Sequence, residues 1–95
     1  MKHRIALIAA GVGLAGLLAA CAPTAVLKNA RDAYTSAKTA GAKEKAPYEY
    51  YAALAYLQLA ETVNKEKDYA QAKTFAEKSQ QFSNEAFEKA GGGVK

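Results

Sequence analysis

The stretch that decides the fold is Pro47–Lys65, PYEYYAALAYLQLAETVNK. At about 100° per residue, its Tyr, Leu, Ala and Val side chains cover nearly the whole circumference of a helix, from Tyr48 through Tyr56 and Leu57 to Val63. A helix of that kind is usually flanked on two sides, which makes this segment the expected centre of a helical bundle. Pro47 suits the first helical position, where its missing N–H has no partner to lose, and Glu49 complements the positive end of the helix dipole.

Working outward, Gly41 to Ala46 reads as a short polar connection, with Lys43, Glu44 and Lys45 between the two small residues. Before it, small and apolar residues recur at Val26/Leu27, Ala30, Ala33/Tyr34, Ala37 and Ala40, one helical stripe over residues 24–40. Thr24 can cap that helix and Gly41 can end it in the left-handed conformation. On the other side, Asn64 to Lys67 is a polar turn, and Asp68 with Gln71 forms a capping-box pattern. The third helix, residues 68–90, buries Tyr69, Ala72, Phe75, Ala76, Ser79, Phe82, Ser83, Ala86 and Phe87. Its Lys73, Glu77, Gln81, Glu85 and Lys89 face away, with Glu85 and Lys89 in the favourable i, i+4 order. Gly91 to Gly93 stops it, leaving a flexible tail over 91–95. Short turns between long helices make neighbours antiparallel, so the expected fold is all-α, a small three-helix up-down-up bundle.

The chain has 95 residues, and 51% of them are apolar, but Ala supplies 23 of these. Such a core is low in volume and argues against an all-β sandwich, and one Cys excludes a disulfide scaffold. The amino terminus differs from the rest. Met1-Lys2-His3-Arg4 is cationic, and residues 5–20 carry no charge. A basic start, an apolar middle and small residues before a cut site are the parts of a secretory signal. The uncharged run is shorter than the roughly 20 residues that a membrane-spanning helix needs.

Leu18-Ala19-Ala20-Cys21 resembles the lipobox of bacterial lipoproteins. The resemblance implies cleavage between Ala20 and Cys21, a diacylglyceryl thioether on the Cys21 sulfur and an N-acyl lipid on its new amino group. Residues 21–23 are then a lipidated Cys with a short tether. Ala22 stands where an Asp would mark inner-membrane retention, so the resemblance implies the outer membrane, facing the periplasm. Two or three acyl chains hold a protein at the bilayer almost irreversibly, whereas one does not.

Cleavage removes Lys2, Arg4, the only His and the only Met, and leaves 11 Lys+Arg against 9 Asp+Glu. That near balance does not suggest nucleic acid as a partner, and none is expected. The bases concentrate near the anchor, and Lys28, Arg31 and Lys38 are candidate contacts to anionic head groups. The alternative is an ordinary solvated helix face.

Two further resemblances concern the last two helices. Tyr56-x-x-Leu59-Ala60-x-x-Val63 followed by Tyr69-x-x-Ala72-x-x-x-Ala76-x-x-Ser79 is similar to a single tetratricopeptide-like helical hairpin. It departs from that repeat at Val63 and Asn84, and solenoids need several such units. Ala46-Pro47-x-Glu49-x-x-x-Ala53, Leu57-x-x-Ala60 and Asp68-Tyr69-x-x-Ala72-x-x-x-Ala76 resemble an uncharacterised family of small Ala-rich envelope lipoproteins. Some of its members precede a peptidoglycan-binding domain; no motif of that domain occurs here, and that activity is not carried over.

With neither His nor a free thiol after lipidation, the expected mature chain has no His-based acid–base catalysis, no Ser/His or Cys/His nucleophile pair and none of the usual transition-metal ligands. Glu44 with Glu49, and Glu66 with Asp68, lie at helix starts among lysines, where capping and solvation account for them. No metal, no cofactor beyond the covalent lipid and no small-molecule substrate is expected, and the chain reads as non-enzymatic. Tyrosine is the surplus. Tyr50 diverges from Tyr48 and Tyr51 around the helix, so Tyr50 with Leu54 and Leu57 can form a patch for an envelope protein partner, or else the neighbouring helices cover both sides. The functional expectation is a lipid-anchored scaffold or accessory subunit; the alternative is a membrane-active or stress-related lipoprotein using its basic first helix.

Overall fold

The computed structural model describes residues 23–92. The described residues form four helices and no strand: α1 Pro23–Thr39, α2 Ala42–Lys45, α3 Pro47–Lys65 and α4 Tyr69–Lys89. Three are long and antiparallel in sequence order, as expected for a small all-α bundle. The expected signal peptide over 1–20, the tether residues Cys21 and Ala22, and the last part of the tail lie outside the described residues.

Helix ends follow the local chemistry. Asp68 accepts a hydrogen bond from the Gln71 backbone N–H at 3.2 Å, and the Gln71 amide returns to the Asp68 carboxylate at 3.1 Å. This is half a capping box, because the Asp68 N–H donates to the Val63 carbonyl of the preceding turn. At the far end Gly91 takes φ +87°, with Gly91 N–H to Glu88 and Gly92 N–H to Phe87, the paired bonds of a Schellman motif. A Cβ on Gly92 would run into the Phe87 ring.

Two local expectations are corrected. Thr24 lies within the first turn of α1, because Pro23 is already helical. The Gly41–Ala46 connection is a turn of helix: Gly41 ends α1 at φ +86°, and its carbonyl then accepts from the N–H groups of Glu44 and Lys45. The methyls of Ala42 and Ala46 are buried, so apolar packing orders a segment that reads as polar.

A larger correction concerns the centre. α4, not α3, packs along both other long helices, while α1 and α3 meet over a shorter stretch. The reason is a seam of small side chains on α4, namely Ala72, Ala76, Ser79, Ser83, Ala86 and Ala90, all buried. Their 4-3-4-3-4 spacing keeps one face toward two neighbours, and their size lets both backbones come close. The bulk that fills the remaining space comes from Leu27, Tyr50 and Leu57. Tyr69, Phe75, Phe82 and Phe87, expected inside, stay exposed or half-buried on the flanks of α4.

Close approach has a polar consequence. Ser79 Oγ donates to the Ala53 carbonyl of α3 at 2.7 Å, a fully buried bond between helices. Ser83, equally buried, finds no partner for its hydroxyl among the described residues. Ser79→Ala is therefore expected to lower stability by about 1 kcal/mol, whereas Ser83→Ala is neutral or stabilising. Ala76→Leu, which overfills the seam, should cost roughly 1–3 kcal/mol. The exposed Ala55→Leu serves as the control, and thermal unfolding followed by circular dichroism reads all four variants.

Candidate functional site

Three side-chain groups stand out above the small-residue core. The first is a tyrosine cluster where α1 meets α3. Tyr34 and Tyr50 stack with ring centroids 5.1 Å apart, and their hydroxyls hydrogen-bond at 2.7 Å. Tyr51 meets Tyr50 edge-on at 5.0 Å. Burial first, and then the bond to Tyr50, push the Tyr34 phenol up from its ordinary value to about 12.

This placement corrects the expected partner patch. Tyr50 and Leu57 are buried and Leu54 is half-buried, so the three do not make an open surface. Tyr34, projecting from α1 between the small Ala30 and Ala37, supplies the polar partner that lets a tyrosine enter the core. The rings left in solvent are Tyr48 (71% exposed), Tyr51 (49%) and Tyr69 (47%), together with Leu59 (45%).

The second group is an aromatic row along the opposite flank of α3. Tyr56 stacks parallel to Phe82 at 5.8 Å, Tyr48 meets the same Phe82 edge-on at 6.0 Å, and Phe75 lies 6.2 Å from Tyr56. Glu49 and Lys89 pair at the Tyr48 end of this row. Glu49 is nearly buried, so its expected role at the helix dipole is only part of its environment. The Lys89 hydrogen bond holds its carboxyl below the ordinary carboxylate value, and Lys89 is raised in turn. Lys89 thus pairs across the bundle rather than with Glu85, whose carboxylate lies 3.5 Å from the Gln81 amide nitrogen.

The third group is the basic stripe of α1. Lys28, Arg31 and Lys38 are all exposed. Lys28 pairs with Asp32 at 2.8 Å and Arg31 with Glu61 of α3 at 2.8 Å. Exposed pairs of this kind stabilise little. Cys21 and Ala20, the residues expected to be lipidated and to precede the cut, lie outside the described residues. Of the two acidic pairs, Glu49 is taken up by Lys89 and Asp68 by Gln71, which leaves neither as a paired-carboxylate centre. Among the described residues no three acids, Cys or His gather into a metal site, and no helix is long and apolar enough to cross a membrane.

The model of the domain of unknown function DUF4398 matches residues 25–91. The chain belongs to the DUF4398 family. The match runs from the first turn of α1 to Gly91 at the cap of α4, so the DUF4398 domain is the whole bundle, small-residue seam and tyrosine cluster included. No curated protein and no solved structure matches the chain.

The tyrosine cluster gives the DUF4398 domain an alkaline limit. A phenol whose folded value is raised contributes stability that is fully present below about pH 10 and is lost as pH rises through about 12. Helix content should therefore fall across that interval, and less steeply in a Tyr34→Phe/Tyr50→Phe variant. An equal loss in both would show that the pair does not set the limit.

Proposed function

We propose that this DUF4398 protein is a non-enzymatic, lipid-anchored helical module of the bacterial envelope, held at the outer membrane and facing the periplasm. The observation that carries the reading is the sequence Leu18-Ala19-Ala20-Cys21, placed after an uncharged run and two residues before Pro23, where α1 is already helical. Acyl chains on Cys21 would put the bundle directly at the bilayer with almost no tether. The mature chain, without His and with its one thiol taken up by lipid, has no His-based general acid or base and no Ser/His or Cys/His nucleophile pair.

Its role in this reading is that of a scaffold or accessory subunit for an envelope assembly. The surface offered to a protein partner is the α3/α4 flank, where Tyr48 and Leu59 are open and Tyr56, Phe75 and Phe82 are half-buried. Tyrosine and phenylalanine are enriched at protein interfaces. The tetratricopeptide-like pattern falls on the α3/α4 hairpin, and a single unit of that kind does not make a solenoid groove.

Metabolic labelling with an alkyne fatty acid tests the anchor. Label is expected on the wild-type chain and absent from Cys21→Ser, which should leave the membrane fraction; label retained by the variant sinks the reading. In-cell cross-linking with mass spectrometry tests the scaffold role. A Tyr48→Ser/Leu59→Ser variant should lose its cross-linked partner while keeping its helix content and its lipid.

A further inference from the structure

The α1/α3 side of the bundle carries two stripes with the same spacing. On α1 they are Lys28, Arg31, Thr35 and Lys38; on α3 they are Tyr51, Leu54, Gln58 and Glu61, followed one turn later by Lys65. The Arg31–Glu61 pair ties them side by side. Counted antiparallel from that pair and from Tyr34–Tyr50, the level of Lys38 falls between Ala46 and Leu54, the stretch that includes Tyr51.

This side is the basic one. Lys28, Arg31, Lys38 and Lys65 stand against Asp32 and Glu61, whereas α4 is balanced, with Lys73, Lys78 and Lys89 against Glu77, Glu85 and Glu88. Lys43 and Lys45, with Glu44 between them, add one net positive charge beyond the Lys38 end. The one large ring in the stripes is Tyr51, half out of the core, and a tyrosine with a packed edge and a wet hydroxyl suits the head-group layer. A face with this excess of cations repels its own copy. Its open apolar area is also confined to Tyr51 and part of Leu54, far short of the roughly 800 Å² per partner that a stable dimer buries.

Orientation follows from length. α1 is 17 residues, about 25 Å, and begins two residues after Cys21. Acyl chains at its start and lysines at its far end hold both ends of one rod against one surface.

We infer that the bundle lies flat on anionic phospholipid through its α1/α3 side, with Lys28, Arg31 and Lys38 over the head groups and Tyr51 among them. This rests on the lipid-anchor reading and adds which face meets the membrane. The Tyr48–Phe82–Tyr56 row then points away from the bilayer, open to a partner.

Tyr51 and Tyr48 lie three residues apart on α3, but Tyr48, 71% exposed, belongs to the Phe82 row on the opposite flank. They make an internal comparison. The lipidated full chain is reconstituted in vesicles of phosphatidylethanolamine with phosphatidylglycerol, floated, and iodinated with lactoperoxidase, which works from the water side. Relative to the protein in detergent, Tyr51 iodination should fall several-fold while that of Tyr48 changes little. Lys28→Glu/Lys38→Glu should restore Tyr51 labelling without releasing the protein from the vesicles. A Tyr51-to-Tyr48 labelling ratio on floated protein unchanged from that in detergent overturns the flat orientation and leaves the anchor standing; failure to float overturns both. Protection of Tyr51 that persists in phosphatidylcholine alone, or that grows with protein density, overturns the head-group contact in favour of simple burial or self-association.

Discussion

The seam of Ala72, Ala76, Ser79, Ser83, Ala86 and Ala90 on α4 is the constraint on which the rest depends. Because none of these side chains exceeds a hydroxymethyl group, α4 can serve two neighbours at once. Everything larger is then displaced to the flanks: Phe75 and Phe82 to one side, Phe87 and Tyr69 elsewhere on the helix. The Ser79 bond to the Ala53 carbonyl is another product of the same closeness, since a short side chain reaches a foreign backbone only when the helices nearly touch. With so little side-chain volume in the seam, Leu27, Leu57 and Tyr50 become the few pieces that fix the relative position of the helices.

Tyr34 links this core from end to end. It packs against the cluster of Ala37, Ala42, Ala46, Tyr50, Ala86 and Ala90 and also against that of Leu27, Ala30, Leu57, Ala60 and Ala76. One phenol thereby joins two groups of methyls, and its hydroxyl is satisfied by the only other phenol within the core. The Glu49–Lys89 pair does similar work at the surface, fastening the first turn of α3 to the last turn of α4.

What could be read from the sequence was local. Pro47, Asp68 with Gln71, Gly41 and Gly91 act within a few residues of themselves, and the helix limits they set agree with the structure to about a residue. What could not be read was long-range. α3 is apolar almost all round, so its pattern alone does not say which tyrosine turns inward. That is decided by Tyr34, sixteen positions earlier, which offers Tyr50 both a stacking face and a hydroxyl. The signal was present, because Tyr34 is the one large polar-tipped residue in a stripe of Ala30, Ala33 and Ala37. The same limit hid the centre of the bundle: hydrophobic coverage pointed to α3, whereas side-chain size, not coverage, selects the helix that two others can approach. Lys89 was assigned to Glu85 by helical spacing, and a partner 40 residues away won because Glu49 is the more buried acid.

A core made mostly of methyl groups also shapes the response of this domain to temperature. The heat-capacity increment of unfolding scales with the apolar area newly wetted, and alanine wets little. The stability curve of such a bundle is shallow, with a maximum that is low but broad. Between a cold and a warm environment the free energy of unfolding changes less than it would for a leucine-cored domain of equal length.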